Sequence, residues 1–292
     1  MAWLLSSRSI RLSYSVNHVI KEYSTSKYAE SEKNMNAQNE YTSINARTWD
    51  RWAEKGNEWS IPVSHEEFIR AQNGEWGVYL TPCRFVPTEW FGILRGSRLL
   101  GLASGGGQQM PIFTALGADC TVFDNSDRQL ASEKYVAERE HYSINIVKGD
   151  MTKRLPFADG CFDLVFHPVS NCYIEDVHHV WQECFRILKS GGILLAGFDN
   201  GINFLIDDDG TLPLKIVNKL PFNPLKASPD AYQRMADNDE GIQFSHSMEE
   251  QIGSQLKAGF ALTDMYEDRD REGCGLIREY SPQYIATRSV KP

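Results

Sequence analysis

The chain has 292 residues, 41% of them hydrophobic and 24% charged, with a formal net charge of −9. That balance is ordinary for a soluble globular protein, and no stretch is long enough to span a bilayer. The acidic excess argues against a nucleic-acid backbone or an anionic membrane as the main partner, since binding either needs clustered cations.

Residues 1–40 differ in character from the rest of the chain. The opening MAWLLSSRSIRLSYSVNHVIKEYS is rich in Ser and Arg and has no acidic residue before Glu22. Its apolar run, Ala2 to Leu5, is too short for a secretory core. The segment reads as a poorly ordered tail, with a transit-like leader as the alternative and Met35 as an alternative start. None of the six cysteines forms a CxxC pair, and most fall in apolar runs. Reduced, mostly buried thiols in a cytoplasmic protein are the expectation.

From Tyr41 to Trp90 the chain carries Trp49, Trp52, Trp59, Trp76 and Trp90. The spacing of Ala46, Trp49 and Ala53 predicts a helix from Asn45 to Glu54. Ser64 and Glu67 form an S-x-x-E capping box that opens a second helix. Residues 41–97 are expected to form a helical layer, packed on a sheet edge or serving as a lid.

Arg98 to Arg128 carries the strongest signal. Leu99, Leu100 and Leu102 make a short apolar strand. Gly105, Gly106 and Gly107 come next as a loop that lets a ligand approach the backbone. A helix from Gln108 to Leu116, with Pro111 in its first turn, presents free N–H groups at its start. Cys120, Val122 and Phe123 form a second strand, and Asp124 closes it. The order strand, glycine loop, helix, strand, acid is that of a nucleotide-binding α/β unit. A carboxylate at that place can accept hydrogen bonds from both ribose hydroxyls.

This stretch resembles the class I S-adenosylmethionine-dependent methyltransferases, more narrowly the group called methyltransferase type 11. The resemblance runs in motif order from about Arg98 to Phe198 and returns at the C-terminus. In the family's glycine motif an acidic residue stands two positions before the first glycine. Here Gly101 holds the acidic position and Ala103 that of the first glycine, while Gly105 and Gly107 match the later ones. Gln108, Gln109 or an N-terminal residue would then replace the lost polar contact to the ligand's amino group. VKGDM, Val147 to Met151, matches a second motif, in which Asp150 takes the adenine amino group and Met151 packs on the ring. The resemblance therefore implies S-adenosyl-L-methionine as cofactor, held by Ala103, Ser104, Gly105, Gly107, Gln108, Asp124, Asn125, Asp150 and Met151, and His167, by its place at the end of the fourth strand, is expected to line the same site.

The rest of the core continues in βα order. Ser126 and Gln129 open a helix ending near Glu140, and Ile144 to Val147 is the third strand. Phe162 to Phe166 is the fourth. Its loop, HPVSNCYIED, brings His167 and Tyr173 to the strand end where open sheets bind ligands. If the methyl acceptor bears a proton, His167 and Tyr173 are the candidate catalytic residues. Val177, Val180, Trp181, Cys184 and Leu188 recur at helical spacing, and Gly191 with Gly192 is expected to end that helix. Ile193 to Phe198 is the fifth strand. Residues 199–245 are too long for an ordinary loop and read as a substrate-side insertion. Within it, Asp207, Asp208 and Asp209 read as a solvated turn rather than a metal site. His178 and His179, adjacent on one helix, diverge and make poor joint ligands, so no metal is expected. Ser247 with Glu250 caps a helix ending at Gly259. Phe260 to Tyr266 and Tyr284 to Val290 are the last two strands, fitting the family's final hairpin with its antiparallel strand.

The predicted fold is α/β: a Rossmann-like doubly wound sheet, mostly parallel, covered on both faces, with an N-terminal helical layer. One domain should span 41–292, with its cofactor-binding core at 98–198 and the final helix and strand pair at 246–292. The expected function is methyl transfer to a small-molecule acceptor. A nicotinamide-dependent oxidoreductase is the first alternative. Its fingerprint wants Gly or Ala three residues after Gly107, where Met110 stands. A non-catalytic S-adenosylmethionine-binding protein is the second.

Overall fold

A computed structural model describes residues 40–292, of which 42–292 pack as one unit. The expectations for the tail fall, up to residue 39, outside the described residues. No helix among the described residues is long and apolar enough to cross a membrane.

Seven strands form the central sheet: β1 (Arg98–Leu102), β2 (Asp119–Asp124), β3 (Asn145–Lys148), β4 (Phe162–His167), β5 (Leu188–Asp199), β6 (Ala261–Asp268) and β7 (Tyr284–Val290). Their spatial order is β3-β2-β1-β4-β5-β7-β6. The first five pair in parallel, while β7 lies antiparallel between β5 and β6. The expected terminal antiparallel strand is therefore present. The inner strands are near-continuous apolar runs because both faces are covered. Leu99, Leu100 and Leu102 of β1 are fully buried, as are Val165 and Phe166 of β4.

Helix α1 spans residues 40–54, and α2 is His65–Gln72. In α2 the capping box is complete: Ser64 Oγ accepts from Glu67 N, and Ser64 N donates to the Glu67 carboxylate. Helices α3 (Gln109–Ala115) and α4 (Asp127–Glu140) flank β2 in sequence, and α5 (Val177–Ile187) precedes β5. Ser126 caps α4 by accepting from Gln129 N, and Asp176 caps α5 by accepting from His178 N. One face of α5 buries Val177, Val180, Trp181, Cys184 and Ile187 against the sheet. The opposite sheet face packs on α3 and on Val78, Leu80, Trp90 and Phe91 of the segment before β1.

One expectation is corrected. Gly191 and Gly192 do not end a helix. Helix α5 stops at Ile187, and the glycine pair lies inside β5, since Gly191 N donates to Lys291 O at 2.7 Å and Lys291 N to Gly192 O at 2.9 Å. The helix expected after Ser247 is present: Glu250 N donates to Ser247 Oγ and Ser247 N to the Glu250 carboxylate, and the helix runs as a π-turn over Glu249–Gly253 and as α-helix over Ser254–Ala258. Gly259 ends it in the left-handed region, φ 109°.

Residues 199–245 fold in short pieces: a two-stranded ribbon pairing 206–207 with 215–216, and helical turns at Ile202–Leu205, Pro224–Ala227 and Pro229–Asp237. Asp208 and Asp209 serve the backbone here. Asp208 accepts from Leu276 N and Ile277 N, and Asp209 from Thr211 N. Among the described residues, Cys120, Cys172 and Cys184 are buried free thiols, whereas Cys83 and Cys274 are exposed.

Candidate functional site

A cavity of about 1080 Å³ opens over the C-terminal ends of the parallel strands. Open α/β sheets bind ligands at this edge, and ligand pockets commonly span about 300–1,000 Å³. At one end it is lined by Ala103, Ser104, Gly105 and Gln108 of the loop after β1, by Asp124 and Asn125 after β2, and by Asp150 and Met151 after β3. Eight of the expected cofactor contacts thus share one wall.

Asp124 organises that wall. Its Oδ2 accepts from Gly105 N at 3.0 Å and its Oδ1 from Ser126 N at 2.9 Å. Each carboxylate oxygen keeps a lone pair for a ligand hydroxyl. Burial raises the Asp124 pKa, opposed by these backbone donors. Gly105 is required for a reason other than the expected one. A Cβ there would lie 2.7 Å from Gln129 Cβ and 3.0 Å from Asp124 Oδ2, so it would strike the protein before the ligand. Gly149 likewise leaves room for the edge of Phe123, 2.4 Å from where its Cβ would stand. Such a close-walled cradle fits a nucleoside beside an acid that can take its hydroxyls. Ala103, at the place where the resemblance expects the motif's first glycine, accepts the left-handed conformation, φ 49°. At Gly101, a Cβ would sit 2.6 Å from Met110 Sδ, so the thioether fills the space an acidic side chain would need. Gln109 Oε1 accepts from Ser104 Oγ at 3.1 Å. Gln108 instead holds the roof, donating to the carbonyls of Glu58 and Ile61, each at 3.1 Å.

Two expected contacts do not line the cavity. Gly107 is turned toward α4: its N–H donates to Glu133 Oε1 at 2.8 Å, and its carbonyl accepts from Val63 N at 2.9 Å. His167 is fully buried. Its Nδ1 bonds Leu102 O at 2.9 Å, its Nε2 bonds Asn171 Oδ1 at 2.8 Å, and its ring meets Trp181 edge-on. Burial lowers its pKa. With both nitrogens engaged inside the protein, it is placed neither to touch the cofactor nor to take an acceptor's proton. Tyr173 does line the cavity, edge-on to Trp49 at 5.7 Å. Burial holds its phenol well above the ordinary range, so it stays protonated.

The other walls come from segments on either side of the core in sequence. Helix α1 contributes Thr42, Asn45, Ala46 and Trp49. It is anchored at both ends of the crevice. Asp50 accepts from Ser126 Oγ at 2.7 Å, and Asn45 exchanges hydrogen bonds with the Ile242 backbone at 3.0 and 2.6 Å. The strap 57–63 adds Trp59, which lies under the Arg271 guanidinium at 4.3 Å while Arg271 pairs with Glu58. Residues 76–82 and the insertion residues Asn203 and Phe204 complete the far end. There the expectations missed Asp199. It closes β5, is 4% exposed, and lines the cavity. Its position after an apolar strand was the available signal, the same signal that singled out Asp124.

Comparison with known proteins agrees with this geometry. Residues 100–196 match the family model of a methyltransferase domain. The chain is 41% identical over 250 residues to the uncharacterized methyltransferase YbaJ of Bacillus subtilis, covering 85% of this chain and 97% of that one. It is 31% identical over 136 residues to the sterol 24-C-methyltransferase of Aspergillus fumigatus, a stretch that is 40% of this chain and only 36% of that enzyme. Among solved structures, an S-adenosylmethionine-dependent methyltransferase from Mesorhizobium loti aligns with a TM-score of 0.56 at 18% identity, over 69% of this chain and 94% of that one. The geranyl diphosphate C-methyltransferase of Streptomyces coelicolor, solved with Mg2+, geranyl diphosphate and S-adenosyl-L-homocysteine, aligns with a TM-score of 0.55 at 14% identity, over 86% and 98%. At such identities the structural likeness is one of fold.

Proposed function

The chain belongs to the class I S-adenosylmethionine-dependent methyltransferases, and on that footing we propose that it methylates a small molecule seated in the far end of the cavity. One observation carries the reading. The cavity runs without a break from the Gly105–Asp124–Met151 wall to Tyr173, Asp199 and Phe204, under a roof of α1 and the strap 57–63. It is a chamber for a compact acceptor, enclosed by aromatic rings.

The cofactor supplies a methyl group already activated by the sulfonium charge. The chain has to hold, align and exclude water. In this reading Asp124 takes the ribose hydroxyls, Asp150 and Met151 hold the adenine, and the Ser104–Gly105 backbone approaches the methionine end. The clasp of Arg271 on Glu58 and Trp59 joins the strap to the loop after β6 and closes the mouth. Residues 41–97 and 199–245 then act as lid and substrate-side insertion.

The test is release of S-adenosyl-L-homocysteine by the full chain, read by mass spectrometry across a panel of small acceptors. Turnover of at least one, with kcat/KM above the background for free amines and phenols, is the expected result. Tight cofactor binding without turnover of any small acceptor, alongside methylation of a protein or RNA, would overturn it.

A further inference from the structure

Asp199 takes no part in the wall assigned to the cofactor. In register, Ala196 of β5 pairs with His167, the last residue of β4, so Asp199 stands three residues past the end of that neighbour. Asp124 ends β2, on the opposite side of β1 from β4 and β5. Asp199 is therefore on the acceptor half of the crevice. Its Oδ1 accepts from Gly201 N at 2.9 Å, whereas its Oδ2 is buried and has no hydrogen-bond partner among the described residues. No cation among the described residues pairs with it. A carboxylate oxygen held out of water without a donor costs stability, and a ligand that brings the donor removes that cost.

The neighbours leave the role to Asp199 alone. Cys172 and Tyr173 of the turn after β4 and Tyr284 of β7 line the same cavity as Asp199, and the Tyr284 hydroxyl donates to Asp270 Oδ2 at 3.1 Å. Burial pushes that thiol and both phenols up, so all three are protonated near neutral pH. Burial also raises Asp199 itself, to about 6, which leaves it ionised at neutral pH yet more basic than an exposed carboxylate. Asp270 is taken up by the Tyr284 hydroxyl, and Arg271 is paired with Glu58.

We propose that the methyl acceptor reacts through an O–H, N–H or S–H group, and that Asp199 Oδ2 receives its proton. This rests on the methyltransferase reading of the cavity. The acceptor's heteroatom bonds to the methyl carbon as the carbon–sulfur bond breaks, its electron pair staying on sulfur. The proton leaves the heteroatom for Asp199. The positive sulfonium and the negative carboxylate are neutralised in the same event, so no net charge is created in the buried chamber. The proton passes to water when the product departs.

The test uses the full chain, S-adenosylmethionine and a panel of phenols, thiols and amines beside carbon nucleophiles. Wild-type turnover of an X–H acceptor should rise with pH through about 6 and then level off. Asp199→Asn should bind S-adenosylmethionine within about twofold of wild type by calorimetry, yet lose on the order of 10²-fold or more in kcat, the usual range for a general base. Asp199→Glu should recover part of the rate together with the rising limb. Apart from turnover, infrared titration should show a protonated-carboxyl band that disappears through the same pH range and is missing from Asp199→Asn. Equal kcat and an unchanged pH profile in Asp199→Asn would overturn the proposal and leave the methyltransferase reading intact, as would turnover confined to carbon nucleophiles. Failure of wild type to turn over any acceptor would instead overturn the reading of the cavity, and the proposal with it.

Discussion

Asp124 serves the protein and the proposed ligand with the same two oxygens. Removing it as Asp124→Ala frees Gly105 N and Ser126 N as well as the ribose hydroxyls. Hydrogen bonds to a charged partner are worth roughly 1.5–3 kcal/mol, so cofactor affinity should fall at least tenfold by calorimetry. An unchanged dissociation constant in a folded variant would remove Asp124 from the site. At Gly105 even alanine meets Gln129 and Asp124, so Gly105→Ala should both lower the melting temperature and weaken cofactor binding. His167→Asn should behave unlike a loss of catalytic base. It breaks the bonds to Leu102 and Asn171 and opens space beside Trp181, so unfolding in urea should come at lower denaturant, with the pH profile of turnover unmoved. Residue-scale legibility was uneven for a physical reason. A carboxylate closing an apolar strand, as at Asp124, lines the crevice at the strand ends, where backbone N–H groups of the loops and a ligand can supply its donors. A polar residue in the last position of a strand, as at His167, turns inward whenever the core offers both of its nitrogens a partner. Asp199 obeyed the first rule and was passed over because it also marked a change of rhythm.

Among elements, the strands from Arg98 onward were legible because each is an apolar run bounded by turn residues. The start of β5 was not. Its first residues read as helix end and glycine stop, and only the later strand β7, with Lys291 beyond it, reveals the glycine pair as strand. Helix α4 carries a feature that no pattern announces. Glu133 is fully buried under the glycine loop, with Oε1 on Gly107 N and Oε2 without a partner among the described residues. Burial raises its pKa from 4.5 to about 8. Between those values the folded chain holds a proton that the unfolded chain has lost, so stability falls as pH rises through the window. Glu133→Gln retains an oxygen for Gly107 and cannot ionise. It should match or trail wild type at pH 4 and exceed it at pH 7 by roughly 3 kcal/mol, at about 1.4 kcal/mol per pH unit. Denaturant melts at the two pH values decide this, and parallel stability curves would count against it.

At the scale of the molecule, the site is made by parts distant in sequence. Trp49, Trp59 and Trp76 all line the cavity that also takes walls from the insertion. If 41–97 and 199–245 roof a bound ligand, tryptophan emission should shift on addition of S-adenosylmethionine, and Trp59→Phe should reduce the shift. No change in emission at saturating ligand would argue against a lid. How the insertion folds was beyond sequence reading, because its short turns gain their order from contacts elsewhere, such as Ile242 on Asn45 and Asp239 on Arg51.

The position of β7 has a consequence for how the chain can be built. It is the last of the seven strands to be synthesised, yet it lies inside the sheet, joining β6 to β5. Until it arrives, β5 presents a bare edge from Ile193 to Asp199, and β6 has no strand to pair with. Unpaired edges recruit other chains, and incomplete domains expose them longest. A chain truncated before Tyr284 should therefore stay bound to chaperones or aggregate, while one that runs through Lys291 should be a soluble, protease-resistant domain. Limited proteolysis of the two released chains would reveal whether the sheet closes only when that last strand is present.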